Sequence, residues 1–312
     1  SQTFLHIPKF PIRSYLSMEE NFSVLPASIL RGLSDRSYDK RKATTIEIQA
    51  LVKTLYDKGE KEKIVAIINL LAQEFTRAPK VDHRKGGVSG LAGVAVGLTG
   101  SKIDQFLHYL VPPVLECIDD PEARVCYYAA ETLYNIAKVA RTCILRYFNQ
   151  IFDALCKLFV HVNNDVKNAA ALLDRLIKDI VTQTDSFDIE SFVPLLQKHI
   201  KRTKPYIRQL LVSWIIVLDT VPDINMLDYL PDFLDGLFNM LSDGNREIKQ
   251  SANNALSEFL REIREAEAVE LGPMVSILVT QCRSKERTNR LTAMTWMTEF
   301  IFLGNTKLLP FY

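Results

Sequence analysis

A repeat of 41 residues constrains this chain more than any other feature of its sequence. With Val125 as reference, steps of 41 reach Val166, Ile207, Ile248 and Asn289, and the next position reads Cys126, Lys167, Arg208, Lys249 and Arg290. Four residues past the reference stand Ala129, Ala170, Leu211, Ala252 and Ala293; eleven past it stand Ile136, Ile177, Leu218, Phe259 and Phe300. Seven before it stand Ile118, Phe159, Ile200, Leu241 and Cys282, and eleven before it Val114, Leu155, Leu196, Leu237 and Leu278. Spacings of three, four and seven put these residues on one face of an α-helix, whereas a strand would alternate every second residue. Each unit therefore reads as two helices, A and B, joined at the Asp/Asn-rich tracts 119–120, 163–165 and 242–245. Two helices in about 40 residues is the period of HEAT and armadillo arrays. The predicted fold is an all-α, HEAT/armadillo-like α-solenoid of antiparallel helix pairs.

The register extends in both directions. One step back from Val125 reaches Arg84, with Lys85 in the basic column and Val88 and Ala95 in the apolar ones, so an unbroken period is expected from Arg84 onward. A less regular helix pair is predicted over residues 38–78. Forward, the column eighteen before the reference reads Leu107, Phe148, Ile189, Leu230, Leu271 and Tyr312. Arrays end in polar capping units, and the apolar residues 308–312 are not one, so the solenoid over residues 24–312 is expected to be truncated at its C-terminal end. Residues 1–23 hold Pro8 and Pro11 and no helical period. They read as an irregular leader, in part foreign to a native start at Met18.

Composition excludes several classes. A formal charge of +1 gives no general reason to expect nucleic acid. A membrane span needs roughly 20 apolar residues, and no stretch approaches that; residues 210–218 are already broken by Ser213. No basic start followed by an apolar run marks a signal peptide. The five cysteines (Cys117, Cys126, Cys143, Cys156 and Cys282) are odd in number, and no C-x-x-C or H-E-x-x-H motif is present. They read as buried free thiols of a reducing, cytoplasmic compartment, with no metal and no cofactor. His161 and His199 stand alone, and no convergent nucleophile, base and orienting group is recognisable. No enzymatic activity is expected.

Binding surfaces are the remaining candidates. If the apolar columns define the buried side of helix B, positions two, six, nine and thirteen after the reference face away from it at about 100° per residue. In the glycine-rich stretch 86–100 these are Gly86, Gly90, Gly93 and Gly97. The stretch lacks the phosphate-loop pattern. Its glycine stripe has two readings, close packing against a neighbouring B helix or a groove for a partner segment. In later units the same columns read Tyr127, Glu131, Tyr134 and Lys138; Asn168, Leu172, Arg175 and Asp179; Gln209, Ser213, Ile216 and Thr220; and Gln250, Asn254, Ser257 and Arg261. Tyr127, Tyr134, Leu172, Arg175 and Ile216 join the four glycines as candidate partner-contact residues, being types found in interface cores or exposed apolar patches. The basic column (Lys85, Lys167, Arg208, Lys249, Arg290) lies near the A–B turn. It suits a structural ladder paired with Asp120, Asp165 or Asp243, or alternatively contact with phosphoinositide head groups.

Five stretches resemble one family in particular: YDKRKATTIEIQALV at 38–52, DHRKGGVSGLAGVAVGL at 82–98, YYAAETLYNIAKVAR at 127–141, LLDRLIKDIV at 172–181 and VPDINMLDYLPDFLDGLF at 221–238. Together with the repeat phase, they resemble the N-terminal half of the vacuole-morphology scaffold family Vac-fourteen, or ArPIKfyve, over residues 24–312. The resemblance implies a non-catalytic scaffold that docks a phosphatidylinositol 3-phosphate 5-kinase. It would thereby regulate phosphatidylinositol 3,5-bisphosphate on endosomal or vacuolar membranes, with peripheral and indirect membrane contact. Binding of an opposing 5-phosphatase and self-association belong to the family's C-terminal half and are expected only of the full-length protein. A HEAT adaptor of another class, a nuclear transport receptor or a protein-phosphatase scaffold, is the alternative. Acidic inner columns would favour the transport receptor, and these columns are not acidic.

Overall fold

The three-four-seven spacing becomes helix over most of the described columns. The computed structural model describes residues 24–266 and 268–304, among which fourteen α-helices and no strands occur. The A helices are α1 (Ala27–Leu33), α3 (Lys61–Leu70), α5 (Leu107–Glu116), α7 (Phe148–Phe159), α9 (Ile189–Ile200), α11 (Leu230–Met240) and α13 (Gly272–Cys282). The longer B helices are α2 (Tyr38–Asp57), α4 (Val81–Gly97), α6 (Ala123–Ala140), α8 (Asn164–Thr182), α10 (Pro205–Asp219), α12 (Arg246–Glu265) and α14 (Arg287–Gly304). The expected leader, residues 1–23, and the apolar ending, residues 308–312, lie outside the described residues.

Two units divide the chain, one ending at Cys117 and one beginning at Ile118. In the first, α2 lies along α4, and α1 packs on both. In the second, B helices stack in series, α6 on α8, α8 on α10, α10 on α12 and α12 on α14, while α7, α9, α11 and α13 form the parallel series of A helices. Such nearest-neighbour stacking is the organisation of a solenoid, where one helix pair cannot bury its apolar side alone. The predicted apolar columns form the core. Ala129, Ala170, Leu211, Ala252 and Ala293 are fully buried, as are Ile136, Ile177, Leu218, Phe259 and Phe300. Edge-to-face aromatic contacts reinforce one layer, with ring centroids of Phe148 and Phe192 5.0 Å apart and those of Phe148 and Trp214 5.1 Å apart.

Turn chemistry repeats in most of the turns of the second unit. Asp120, His161, Asp243 and Ser284 occupy one position of the 41-residue period, and the side chain of each accepts the backbone N–H two residues on, at 2.9, 3.0, 2.8 and 3.2 Å. Asn163 and Asn245 then cap α8 and α12 by accepting from the first-turn N–H groups. The fourth residue of helix B closes the turn from the other side. Arg290 donates to the carbonyls of Ser284 and Lys285 at 2.8 and 2.7 Å, Arg208 to that of Arg202 at 3.0 Å, and the Cys126 thiol to that of Asp120 at 3.0 Å. Arg208 and Arg290 of the basic column therefore clamp carbonyls that neither helix can satisfy. Lys167 instead lies over the Tyr206 ring, 4.5 Å from its centroid.

The clamp exposes a slip in the expected register. B helices of the second unit begin at Ala123, Asn164, Pro205, Arg246 and Arg287, always 41 residues apart, but α4 begins at Val81, 42 residues before Ala123. Arg84, not Lys85, is the fourth residue of α4, and it donates to the carbonyls of Ala78 and Pro79 at 3.1 and 2.9 Å. Lys85 pairs with Asp82 at 2.7 Å. One residue in a helix is about 100° of rotation, so the expected outward line of α4 is displaced by that angle. Its least buried line is Lys85, Ser89 and Val96. The stripe of Gly86, Gly90, Gly93 and Gly97 is buried and turned toward α1, α2 and Leu71 just past α3. The reading of those glycines as a partner groove is therefore corrected: the space is filled from within the chain. A Cβ on Gly93 would lie 2.7 Å from the Thr45 carbonyl, one on Gly97 2.7 Å from the Gln49 carbonyl, and one on Gly86 against the Leu33 carbonyl.

Two consequences can be measured by thermal unfolding. Alanine raises helix propensity by about 1 kcal/mol over glycine, but at Gly97 its methyl must displace the α2 backbone. Gly97→Ala should therefore destabilise by about 1–3 kcal/mol. Gly90→Ala, whose nearest neighbour is the flexible Leu71 side chain at 3.0 Å, should be close to neutral. Equal behaviour of the two variants would contradict the close approach of α2. The second consequence concerns Asp219 on α10 and Glu262 on α12. Burial, reinforced by the nearby Asp219 carboxylate, pushes Glu262 up to about 7, and burial also raises Asp219. The folded chain then holds protons that the unfolded chain releases, so stability falls as pH rises through that value. Tm should be higher at about pH 6 than at about pH 8. Glu262→Gln should shrink that difference; an undiminished difference would exclude the pair as its source.

Candidate functional site

In the second unit, the columns expected to face away from the core do so. On α6, Glu131 and Lys138 are exposed and Tyr127 and Tyr134 half-buried; on α8, Asn168, Leu172, Arg175 and Asp179 are all exposed. On α10, Ile216 and Thr220 are exposed and Gln209 and Ser213 half-buried. The four positions on α12 are exposed throughout. Of the nine candidate contact residues, the structure thus brings Tyr127, Tyr134, Leu172, Arg175 and Ile216 to one run of adjacent B helices and removes the four glycines.

These helices do not contribute equally. On α12, Gln250 donates to Asn254 at 2.8 Å, and Arg261 pairs with Glu258 and, at 3.5 Å, with Glu265. That face is satisfied along its own length. On α8, Leu172 keeps 60% of its surface exposed, and Arg175, one turn on, has no ion pair among the described residues. An apolar side chain beside an available guanidinium is the composition of an interface centre.

The α8 face is held rigidly from below. Asp174 is 8% exposed and sits on the opposite side of α8 from Leu172. It accepts from the Trp214 indole N–H at 2.7 Å and from Lys178 at 2.6 Å, while Lys178 also donates to Ser213 Oγ at 2.8 Å. This network ties α8 to α10. A buried carboxylate is tolerated there because each nearby donor is aimed at it.

The outward columns continue onto α14. On α14, Leu291 and Phe302 stand two and thirteen residues after Asn289, with 51% and 77% of their surfaces exposed. The same outward columns hold them. The residues considered for chemistry have structural partners instead. His199 meets Asp153 at 2.8 Å, and His161 accepts from the Asn163 N–H. All five cysteines are free thiols, three of them buried and Cys143 and Cys282 partly exposed. Burial pushes Cys126 up to about 11 and Cys156 up to about 12, far from thiolate chemistry. Among the described residues, no group of His, Cys, Asp or Glu could hold a metal ion, and no helix is long and apolar enough to cross a membrane.

Comparison with known proteins places these helices in a family. Residues 82–179, from α4 to α8, match the family model described as the Vacuolar 14 Fab1-binding region. The "Protein VAC14 homolog" of Arabidopsis thaliana is 51% identical over 295 residues, covering 95% of this chain and 40% of that protein. The "Protein VAC14 homolog" of Schizosaccharomyces pombe is 41% identical over 274 residues, covering 76% of this chain and 34% of that protein. Among solved structures, a HEAT-like repeats protein from Thermococcus onnurineus NA1 aligns with a TM-score of 0.48 at 12% identity, covering 93% of this chain and 99% of that one. The chain spans less than half the length of the curated relatives it matches. It belongs to the family of VAC14 homologues, the same family that its sequence resembles.

Proposed function

We propose that this chain is the kinase-docking part of a non-catalytic, Vac14-type scaffold, and that it receives a phosphatidylinositol 3-phosphate 5-kinase of the Fab1 type on the exposed face of α6, α8 and α10. The observation that carries this reading is the position of Leu172 and Arg175. Both lie within the stretch matching the Fab1-binding region, exposed on a helix whose opposite side is locked to its neighbour. Tyr127 and Tyr134 on α6 and Ile216 on α10 flank them. Burying an exposed leucine on association gains about 1.5–3 kcal/mol. A rigid face orders few new side chains on binding, which keeps the entropic penalty low.

The scaffold would act by proximity. Holding a lipid kinase on one rigid surface beside other bound proteins raises its effective concentration toward them without any bond being made or broken. In this way it would regulate synthesis of phosphatidylinositol 3,5-bisphosphate on endosomal or vacuolar membranes.

Pull-down of the kinase by the 312-residue chain tests the reading. Leu172→Asp and Arg175→Glu should each reduce retention on the order of tenfold, with helicity and Tm unchanged, while Asn254→Asp on α12 should leave it intact. Failure of the folded wild-type chain to retain the kinase, or equal retention by the Leu172 and Arg175 variants, would remove this site.

A further inference from the structure

The A–B turns of the second unit make one continuous edge, separate from the B-helix face. Arg124 at the start of α6 reaches Asp165 at the start of α8 at 3.5 Å, and Lys167 lies over Tyr206 at the start of α10. Arg208 pairs with Asp243 on the following turn, and Ser242 there donates to Asn289 on α14 at 2.6 Å. Each turn is thus fastened to the next, and their outward side chains stand in a fixed row.

Charge along this row is uneven. Before α6 the acidic Asp119, Asp120 and Glu122 outnumber Arg124. Before α10 the segment Lys201-Arg202-Thr203-Lys204 is exposed throughout and holds no carboxylate; before α14, exposed Arg283, Lys285 and Arg287 accompany only Glu286. None of these six cations has an ion-pair partner among the described residues. They are distinct from the clamp arginines, whose guanidinium groups are occupied by turn carbonyls.

Folding does not account for the cations before α10. Where the other turns place Asp120, His161, Asp243 or Ser284 to accept a backbone N–H, this turn has Arg202. Where Asn163 and Asn245 cap their helices, it has Lys204, and α10 has no side-chain cap. An absent cap forgoes about 1 kcal/mol, and a cation at a helix N-terminus opposes the helix dipole. Two apolar side chains stand on the same edge. Val162, on the tip of the turn before α8, has 92% of its surface exposed, and Tyr206, beside Lys204, has 54%.

We propose that this edge docks directly on an anionic phospholipid membrane, with Val162 and Tyr206 entering the head-group layer and Lys201, Arg202 and Lys204, extended by the row before α14, lying over lipid phosphates. Interfacial binding of this kind combines buried apolar area with attraction between basic side chains and anionic lipid. The arrangement suits a lipid surface better than a nucleic acid. The cations follow a protruding edge rather than a groove, and a projecting valine has nothing to offer a base or a phosphate. The proposal does not depend on kinase docking, which uses another face.

Co-sedimentation of the 312-residue chain with phosphatidylcholine vesicles, with and without phosphatidylserine as one lipid in five, tests it. Binding is expected only to the anionic vesicles and should weaken steeply with added salt. The triple variant Lys201→Gln/Arg202→Gln/Lys204→Gln should lose on the order of a hundredfold in affinity, and Val162→Ser should lose several-fold at unchanged charge. Both sites are fully exposed, and an unchanged Tm verifies that the variants fold. No sedimentation of the wild-type chain, or equal sedimentation of the triple variant, overturns the proposal. So does a Val162→Ser variant that binds like wild type while single-stranded DNA competes the chain off the vesicles, which would assign the row to another polyanion.

Discussion

The side-chain closure of each A–B turn is the interaction on which the rest of this structure depends. A helix pair leaves carbonyls at the end of A and N–H groups at the start of B without intrahelical partners. Here an acceptor side chain takes one of the N–H groups, the fourth residue of B reaches back to the carbonyls, or both. Both contacts are made within a few residues, so every unit sets its own turn before it meets its neighbour. The angle between A and B is thereby fixed, and with it the face of B that the next unit must cover.

Stacking then proceeds by whatever surface each B helix presents. On α4 that surface is a line of glycines, which lets the α2 backbone approach to a distance no side chain would permit. Between α8 and α10 it is polar, with Asp174 satisfied by Trp214 and Lys178. Between α10 and α12 it includes two carboxyls, Asp219 and Glu262, both raised chiefly by burial. These are three different solutions to one requirement, the burial of a side that a single helix pair cannot cover.

Stacking also separates two surfaces. The B-helix face carries Leu172, Arg175 and Ile216 on a rigid backing, whereas the turn edge carries Val162, Tyr206 and unpaired cations. Because the two lie on different sides of the same units, a protein partner and a second surface could be engaged together. A scaffold needs that geometry if it is to hold an enzyme close to where its substrate resides.

By itself the sequence determined the helices, their pairing, the core columns and, in the second unit, the outward-facing positions. All of these follow from periodicity, and periodicity is a local property that a single helix already expresses. The family was legible too, because the stretches that carry it are continuous in the chain. Tertiary structure alone decided the phase of α4. One extra residue before α6 left every apolar column of α4 plausible, since neighbouring positions there are also apolar, and only the donation from Arg84 to Ala78 and Pro79 shows which residue holds the turn. That single step turned the glycines from an open stripe into a packed one. Pairing across units was equally invisible in the sequence. Asp174 with Trp214 and Arg208 with Asp243 are long-range contacts. Which charges remain unpaired on a surface is settled only when the units stack and occupy the others.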